Sequence, residues 1–278
     1  MIYDIYKKNQ IKMSMIKNYE NQIKLINEFR ESFLNYKKNE PSIIEPINYS
    51  ISLNEIRPQL INWLIFLCDN LNFSIQTLYR SVIIFDQFIS KNKNFTLTQE
   101  TLNLITISCL SLGTKIEEVN CNYTSFFTEK VLNTPQYEIY KKSDLTKMEF
   151  EILKKLNFKT LYSTSVDFSL IYLELFKFYC NNNAFLYQNF KQIYENQLKS
   201  FLLNDMFITM SQSEIAYIAF SNSFNYLGIN IIVLRNIENI ILGLYNNYNS
   251  NSNKREENKC FDKKKIGNKY NFFALRSL

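Results

Sequence analysis

Hydrophobic positions along the first 38 residues recur at steps of three and four, the spacing that places them on one face of a helix. The residues concerned are Ile11, Met15, Tyr19, Ile23, Ile26 and Phe29, with mainly Lys, Glu and Asn between them. The pattern predicts one long amphipathic helix, or two shorter ones, over residues 1–38. Pro41 and Pro46 then predict an extended connection from Lys37 to Ser52.

The same periodicity, together with helix end signals, predicts five helices between Glu55 and Leu161. They run from Glu55 to Leu71, from Ser74 to Ser90, from Thr98 to Glu118, from Tyr123 to Leu132 and from Ser143 to Leu156. Pro58 is expected in the first turn of the first helix, where the N–H that proline lacks has no helical partner. The helix that begins at Thr98 is almost entirely apolar over 102–112, so we expect it to be the buried central helix.

The helical pattern restarts at Ser163 and predicts a second group of helices. They run from Thr164 or Ser165 to Tyr179, from Leu186 to Leu203, from Ser211 through Phe220 and from Asn230 to Tyr245. Ser211 and Glu214 have the spacing of a capping box, in which each side chain satisfies the other's backbone N–H. Residues 246–268 are polar and of low complexity, so we expect them to be disordered or weakly ordered.

Glycine and proline are scarce in this chain of 278 residues, with four of each. The tight turns and glycine-rich loops of β-rich and α/β folds need more of both, so the sequence predicts an all-α protein. We divide it into an N-terminal helical extension and linker (1–52), a first helical domain (53–161), a second one (162–245) and a polar tail (246–278).

No constellation of catalytic residues is found in the sequence. Histidine is absent, so general-base pairs with Ser or Cys are excluded, and no glycine-rich motif for holding phosphates occurs. Glu117 and Glu118 are adjacent, so on a helix their side chains diverge by about 100° and do not face each other. We expect a protein that is not an enzyme, with no cofactor and no small-molecule substrate.

Five cysteines, Cys68, Cys109, Cys121, Cys180 and Cys260, are scattered without metal-ligand spacing, so no metal site is expected. Cys68 and Cys109 lie in apolar helical runs and are expected to be buried. Their odd number and the absence of a secretion-type apolar segment at the N-terminus predict a reducing compartment, the nucleus or the cytoplasm or both.

Membranes and nucleic acids are not expected partners of this chain. No run approaches eighteen uncharged apolar residues, so no membrane span is predicted. The net charge is +6, but Lys and Arg are interleaved with Asp and Glu along the chain, rather than gathered as in a nucleic-acid binder.

Charged residues inside apolar helical stretches are the strongest candidates for specific roles. Arg57 and Asp86 each lie among apolar neighbours, and a charge buried alone is very costly. We predict that they form a structural ion pair that joins two helices. Lys115 suits the end of the buried helix, because a cation is favoured by the helix dipole there. On sequence alone, Lys115 and Glu149 are equally well interpreted as ordinary solvated charges.

Four segments in fixed order resemble the cyclin box over about residues 54–160. They are IRPQLINWL with its Arg and Trp, FDQFIS, GTKIEE and KMEFEILKKLNF. The later segment LLNDMFITMSQSEIAYIAF is similar to the less regular second cyclin fold. The resemblance therefore implies tandem five-helix cyclin-like folds with an N-terminal helical extension.

The resemblance also implies a function, that of a regulatory subunit that binds and activates a cyclin-dependent Ser/Thr kinase in the cell cycle and cell division. Cyclins hold the kinase with a Lys–Glu clamp, which implies that Lys115 and Glu149 contact the kinase together with Phe158 and Glu118. Kinase activation would then be conformational, with the bound cyclin holding a kinase helix inward.

The family has a surface patch that docks short substrate motifs. The resemblance implies that its positions here are Ile56, Leu60 and Trp63, with Gln59 and Asn103. The spacing of the three apolar residues allows an exposed stripe on one helix face. Gln59 replaces an apolar residue of the family, and Phe66 stands where the family has an acidic residue. The alternative, that these residues pack partly under the N-terminal helix, stays open.

Two other functions remain open on sequence grounds. One is a scaffold that uses cyclin folds to bind DNA or a partner, as in factors that resemble transcription factor IIB, although their zinc ribbon and basic face are missing from this sequence. The other is a cyclin-fold structural subunit of a larger assembly that activates no kinase, and the departures from the family in the opening helix keep this alternative open.

Overall fold

The computed structural model describes residues 24–44, 51–92, 98–118, 140–180, 183–204 and 206–229, with residue 239. Within these ranges all regular elements are helices, so the predicted all-α class is confirmed. They are α1 (24–38), α2 (Ile51–Leu71), α3 (Ile75–Ser90), α4 (Gln99–Glu117), α5 (Lys142–Lys155), α6 (Ser165–Tyr179), α7 (Ala184–Leu202), α8 (Met206–Thr209) and α9 (Gln212–Leu227). We call α2 to α5 the first half and α6 to α9 the second half.

Helices α3 and α4 form the centre of the first half, and both are buried along most of their length. The prediction of a buried central helix is therefore confirmed for α4. Gly113 lets the two helices approach closely, since a Cβ there would lie 2.2 Å from Ser81 Oγ and 3.0 Å from the Thr77 carbonyl oxygen. Any larger residue at this position would force the two helices apart.

Two predicted helix starts in the first half are confirmed by their caps. Ser74 accepts a hydrogen bond from the backbone N–H of Thr77 at 3.2 Å, and Thr98 accepts one from Thr101 at 3.2 Å. Each cap satisfies an N–H that has no partner within the helix. The expected position of Pro58 is wrong, because α2 begins at Ile51 and places the proline well inside the helix.

The second half packs around aromatic side chains of α6, α7 and α9. The rings of Phe176 and Phe190 lie 4.0 Å apart between centroids, and Phe224 contacts Phe190 edge-on at 5.0 Å. The predicted capping box at Ser211 and Glu214 is confirmed, since each side chain accepts from the other residue's backbone N–H. Edge-to-face aromatic pairs of this kind give a rigid core.

The N-terminal helix α1 packs against the second half. Phe33 is fully buried, and its ring meets the edge of Phe168 on α6 at 5.4 Å. Tyr36 lies against the same ring at 5.7 Å, and Lys37 Nζ donates to Ser213 Oγ at 2.7 Å. The described part of the N-terminal extension thus belongs to the core of the molecule.

Residues 39–44 follow α1 as a non-helical strap that contacts both halves. The Gln87 side chain on α3 donates to the Ser42 carbonyl at 2.7 Å, and Ser42 Oγ donates back to Gln87 at 3.1 Å. The Ile44 N–H donates to the Ile208 carbonyl in the second half at 3.0 Å. These bonds join the two halves through the strap.

Several predictions lie outside the described residues. They concern the first part of the N-terminal helix (1–23), the helices predicted from Tyr123 to Leu132 and from Asn230 to Tyr245, and the polar tail (246–278). The described helices include none that is both long enough and apolar enough to cross a membrane.

Cys68 and Cys109 are buried as predicted, and both are free thiols. Burial, with smaller contributions from nearby Asp69 and Glu118, raises the pKa of Cys68 to about 12. Burial also raises the pKa of Cys109 well above its ordinary value. Both thiols therefore stay protonated and unreactive at neutral pH.

Candidate functional site

Arg57 on α2 and Asp86 on α3 are brought together at the centre of the first half. Arg57 Nε donates to Asp86 Oδ1 at 2.8 Å, and a terminal guanidinium nitrogen donates to Oδ2 at 2.8 Å. Arg57 is 0% exposed and Asp86 is 3% exposed. This bidentate geometry is the strongest form of the Arg–carboxylate contact. Because the pair is buried, every hydrogen-bond donor of the guanidinium needs an acceptor within the protein.

The same guanidinium also reaches the second half, a contact that the sequence analysis missed. Its other terminal nitrogen donates to the Leu202 carbonyl at the end of α7 at 2.8 Å, and its carbon lies 5.8 Å from the ring centre of Phe207. Arg57 therefore joins α2, α3, α7 and α8. Nothing in the local sequence around Arg57 points to a residue 145 positions later.

Lys115 near the end of α4 and Glu149 on α5 also pair, but at the surface. Lys115 Nζ donates to both carboxylate oxygens of Glu149, at 2.6 and 2.7 Å. Ser111 Oγ donates to the same carboxylate from one turn earlier on α4. Glu149 is buried, whereas the Lys115 side chain is 37% exposed. An ammonium has three donors, so Lys115 can still donate to a partner from this position.

Phe158 lies just beyond the end of α5, in the turn that follows Lys155. Its ring is 64% exposed, and Phe150 on α5 is 54% exposed. Exposed apolar side chains that form a patch are a feature of interaction sites. Helix α5 and the turn after it thus carry Glu149, Phe150 and Phe158, and Lys115 reaches Glu149 from α4.

The backbone at Phe158 adopts an unusual conformation in the turn that ends α5. Asn157 and Phe158 both have left-handed backbones, with φ of 52° and 57°. The Phe158 N–H donates to the Leu153 carbonyl at 2.7 Å and the Asn157 N–H to the Lys154 carbonyl at 3.1 Å, which is the pattern of a Schellman cap. A bulky residue rarely adopts this conformation, and such strain is concentrated at functional sites.

Glu118, also expected to contact the kinase, is engaged within the molecule. Its carboxylate accepts from the Ser74 N–H at 2.7 Å and from the Thr77 hydroxyl, at the first turn of α3. Desolvation raises the pKa of Glu118, but the hydrogen bonds from Thr77 and Ser74 outweigh it, and the net pKa is lowered. Its neighbour Glu117 pairs with Arg80 instead, so the two carboxylates diverge as expected.

The residues of the expected docking patch do not form a continuous exposed stripe. Leu60 is buried at 4% exposure, so its inclusion in an exposed stripe is wrong. Ile56 and Trp63 are half-buried, and Phe66 is 61% exposed. Ile56 and Trp63 pack partly against the hydrophobic core, and the alternative of packing under the N-terminal helix stays a prediction.

Metal chemistry finds no support in the part of the chain that the structure describes. No group of three or more Cys, Asp or Glu residues is placed to hold an ion there. The carboxylates of Asp86, Glu149 and Glu118 instead accept hydrogen bonds from protein groups on neighbouring helices.

The model of the N-terminal domain of cyclins matches residues 24–161, which include both ion pairs and Phe158. The chain belongs to the cyclin family. Its cyclin box is 32% identical to Cyclin-SDS of Arabidopsis thaliana over 119 residues, which are 43% of this chain and 20% of that protein.

Two animal cyclins match a similar part of the chain. G2/mitotic-specific cyclin-A of Hydra viridissima is 30% identical over 151 residues, 52% of this cyclin and 34% of the relative. G1/S-specific cyclin-E1 of Danio rerio is 28% identical over 124 residues, 44% of this cyclin and 28% of the relative. The matched segments thus span about a fifth to a third of these relatives.

The fold is similar to that of a viral cyclin from herpesvirus saimiri, solved by X-ray crystallography. The TM-score is 0.59 and the sequence identity 17%, with 81% of this cyclin and 93% of the viral chain covered. At this identity the likeness shows the fold alone. The all-helical cyclin fold expected from the four sequence segments is therefore confirmed.

Proposed function

We propose that this cyclin is a non-catalytic regulatory subunit that binds and activates a cyclin-dependent Ser/Thr protein kinase. The observation that supports it best is the pair of Lys115 and Glu149 at the surface, with the exposed Phe158 ring in the turn that follows the helix of Glu149. Aromatic rings and charged anchors are typical of the residues that dominate binding energy at protein interfaces. Two of the relatives are named for stages of the cell cycle, which supports a role in cell division.

Lys115 and Glu149 would have different parts in kinase binding. Glu149 is buried, and its carboxylate accepts from Ser111 and Lys115, so its main effect is to hold the lysine in place. Lys115 is the exposed member and would donate to the kinase. Phe158 would enter an apolar pocket of the kinase. Glu118 would contribute indirectly, since its carboxylate fixes the junction between α3 and α4.

Activation would be conformational. A cyclin held against the mobile helix of a kinase keeps that helix inward, and the kinase can then form the internal Lys–Glu pair that orients ATP. The first half, residues 53–161, would supply this surface. Residues 162–245 would form a second cyclin-like fold that supports it, and the complex would act in the nucleus, the cytoplasm or both.

The test is purification of the tagged protein from its own cells, followed by mass spectrometry. The informative variant exchanges the charges of the pair, Lys115→Glu with Glu149→Lys, because it keeps the mutual attraction and reverses what the partner meets. A matched control exchanges the exposed pair Asp69 and Lys199, which also joins two helices, at 3.0 Å. We expect a kinase at equal stoichiometry with the wild type and the control, and little or none with the variant.

Two results would overturn the proposal. Full kinase recovery with the Lys115 and Glu149 exchange, in a protein that remains folded by circular dichroism, would remove the pair from the interface. A stable multi-subunit assembly that contains no kinase would instead favour the structural-subunit alternative.

A further inference from the structure

Lysines are distributed unevenly between ion pairs and free surface in this protein. Six of them have a carboxylate oxygen within 4.0 Å, namely Lys24, Lys37, Lys115, Lys177, Lys191 and Lys199. Six others lie along α5 and its two ends, all exposed, and pair with no carboxylate among the described residues: Lys141, Lys142, Lys147, Lys154, Lys155 and Lys159. Among the described lysines, those without a carboxylate partner are therefore concentrated on α5 and its ends, with Lys38 and Lys91 elsewhere.

The carboxylates of α5 do not neutralise this charge. Asp144 accepts from the backbone N–H of Lys141 at 3.0 Å as part of the helix cap, and Glu149 is occupied by Lys115. Glu151 is exposed and is the remaining acid of the helix. Lys141 and Lys142 lie at the N-terminus of α5, where the helix dipole is positive, so their interaction with the dipole is unfavourable. At the other end, the dipole favours Lys154 and Lys155 in the last turn. The lysines of α5 thus keep their positive charge without a carboxylate partner among the described residues, and this charge is available to an interaction.

Aromatic rings lie among these lysines on the outward side of α5. Phe150 is within 60° of Lys147 and Lys154 around the helix axis at 100° per residue, and Phe158 follows at the C-terminal end. Lys155 and Lys159 flank that end, and the Lys159 ammonium lies 5.6 Å from the ring centre of Tyr162. We call Lys147, Lys154, Lys155 and Lys159, with Phe150 and Phe158, the α5 basic face.

We propose that the α5 basic face selects a kinase whose docking surface is acidic around an apolar pocket. This inference rests on the proposed function, because the face includes Phe158 and lies on the same helix as Glu149. Complementary charge at the rim of an interface steers association and rejects partners of the wrong sign, while the rings supply the apolar contact. Nucleic acid is the other polyanion that such a face could meet, but the face includes Phe158 and lies on the helix of Glu149, the residues proposed to serve kinase binding, so the kinase is the occupant proposed.

The experiment measures the association rate with the kinase recovered in the purification above, by stopped flow, at about 0.05 M and about 0.5 M salt. The variant Lys147→Gln, Lys154→Gln, Lys155→Gln removes three charges and keeps good helix formers. The matched control, Lys177→Gln, Lys191→Gln, Lys199→Gln, removes three charges from the second half. We expect the variant to associate about tenfold more slowly at low salt, the difference to vanish at high salt, and the control to behave as wild type.

Three outcomes would overturn the inference. Equal rates for the variant and the wild type at low salt would show that the face does not steer the kinase. An equal loss in the variant and the control would assign the effect to net charge. Binding of a short duplex DNA that is lost in the variant, with kinase association unchanged, would assign the face to nucleic acid. If the wild-type protein binds no kinase at all, the proposed function fails and this inference with it, whereas the first three outcomes leave the proposed function intact.

Discussion

Two of the ion pairs that join helices of the cyclin box, Arg57–Asp86 and Lys115–Glu149, differ far more in exposure than in distance. Arg57 and Asp86 lie 2.8 Å apart in the core, and Lys115 and Glu149 lie 2.6 Å apart at the surface. A buried pair must satisfy all its donors, because each unpaired charge would keep its full desolvation cost. A surface pair contributes little to stability, and its cation remains available. The exposure of the cation therefore distinguishes a structural pair from one that can bind a partner.

The largest effect is expected when one member of the buried pair is removed. Arg57→Ala or Asp86→Ala leaves a charge buried without its partner and should lower the free energy of unfolding by about 3–5 kcal/mol. Urea denaturation of the two single variants and the double variant measures the coupling between them. If the single effects simply add in the double variant, within about 0.5 kcal/mol, the pair is not the unit described here.

Conservative substitutions of the two cations are expected to change the free energy of unfolding by smaller and unequal amounts. Arg57→Lys keeps the charge but loses the two-pronged contact and the bond to Leu202, so we expect a loss of about 2 kcal/mol in the free energy of unfolding. Lys115→Arg keeps a surface cation opposite Glu149 and should change stability by less than about 0.5 kcal/mol. Similar losses in the free energy of unfolding for Arg57→Lys and Lys115→Arg would show that burial does not determine how much each pair contributes to stability.

Glu118 offers a third case, a carboxylate held by neutral donors, and its expected effect is smaller than that of Arg57→Lys. Its folded-state pKa is lowered from 4.5, so the stability it contributes is present above pH 4.5 and is lost as the pH falls further. Glu118→Gln should lower the free energy of unfolding at neutral pH by about 1 kcal/mol or less. The difference from wild type should shrink below pH 4.5, as measured by urea denaturation across that range. A difference that stays constant through the acid range would contradict the capping role.

The sequence predicted local features of the fold well, because they depend on neighbouring residues. The caps at Ser74, Thr98 and Ser211 follow from side chains that reach an N–H two or three residues away. The start of α2 was missed, since Pro58 is compatible with a first turn and tertiary packing can also hold it inside a helix.

A contact between residues distant in sequence was predictable only where a residue had few possible partners. Asp86 was expected to pair with Arg57 because both are charged and lie in apolar helices. The hydrogen bond from Arg57 to the Leu202 carbonyl was not expected, since any backbone carbonyl can accept a hydrogen bond from an arginine. Likewise, the spacing of Leu60 allowed an exposed stripe, and its burial depends on helices distant in sequence.

The strap of residues 39–44 has a consequence for motion in solution. Its bonds to Gln87 and Ile208, together with the one from Arg57 to Leu202, would have to break before the two halves could turn against each other. Proteins with independent lobes reorient on two timescales, one for each lobe. Here both halves should share a single rotational correlation time.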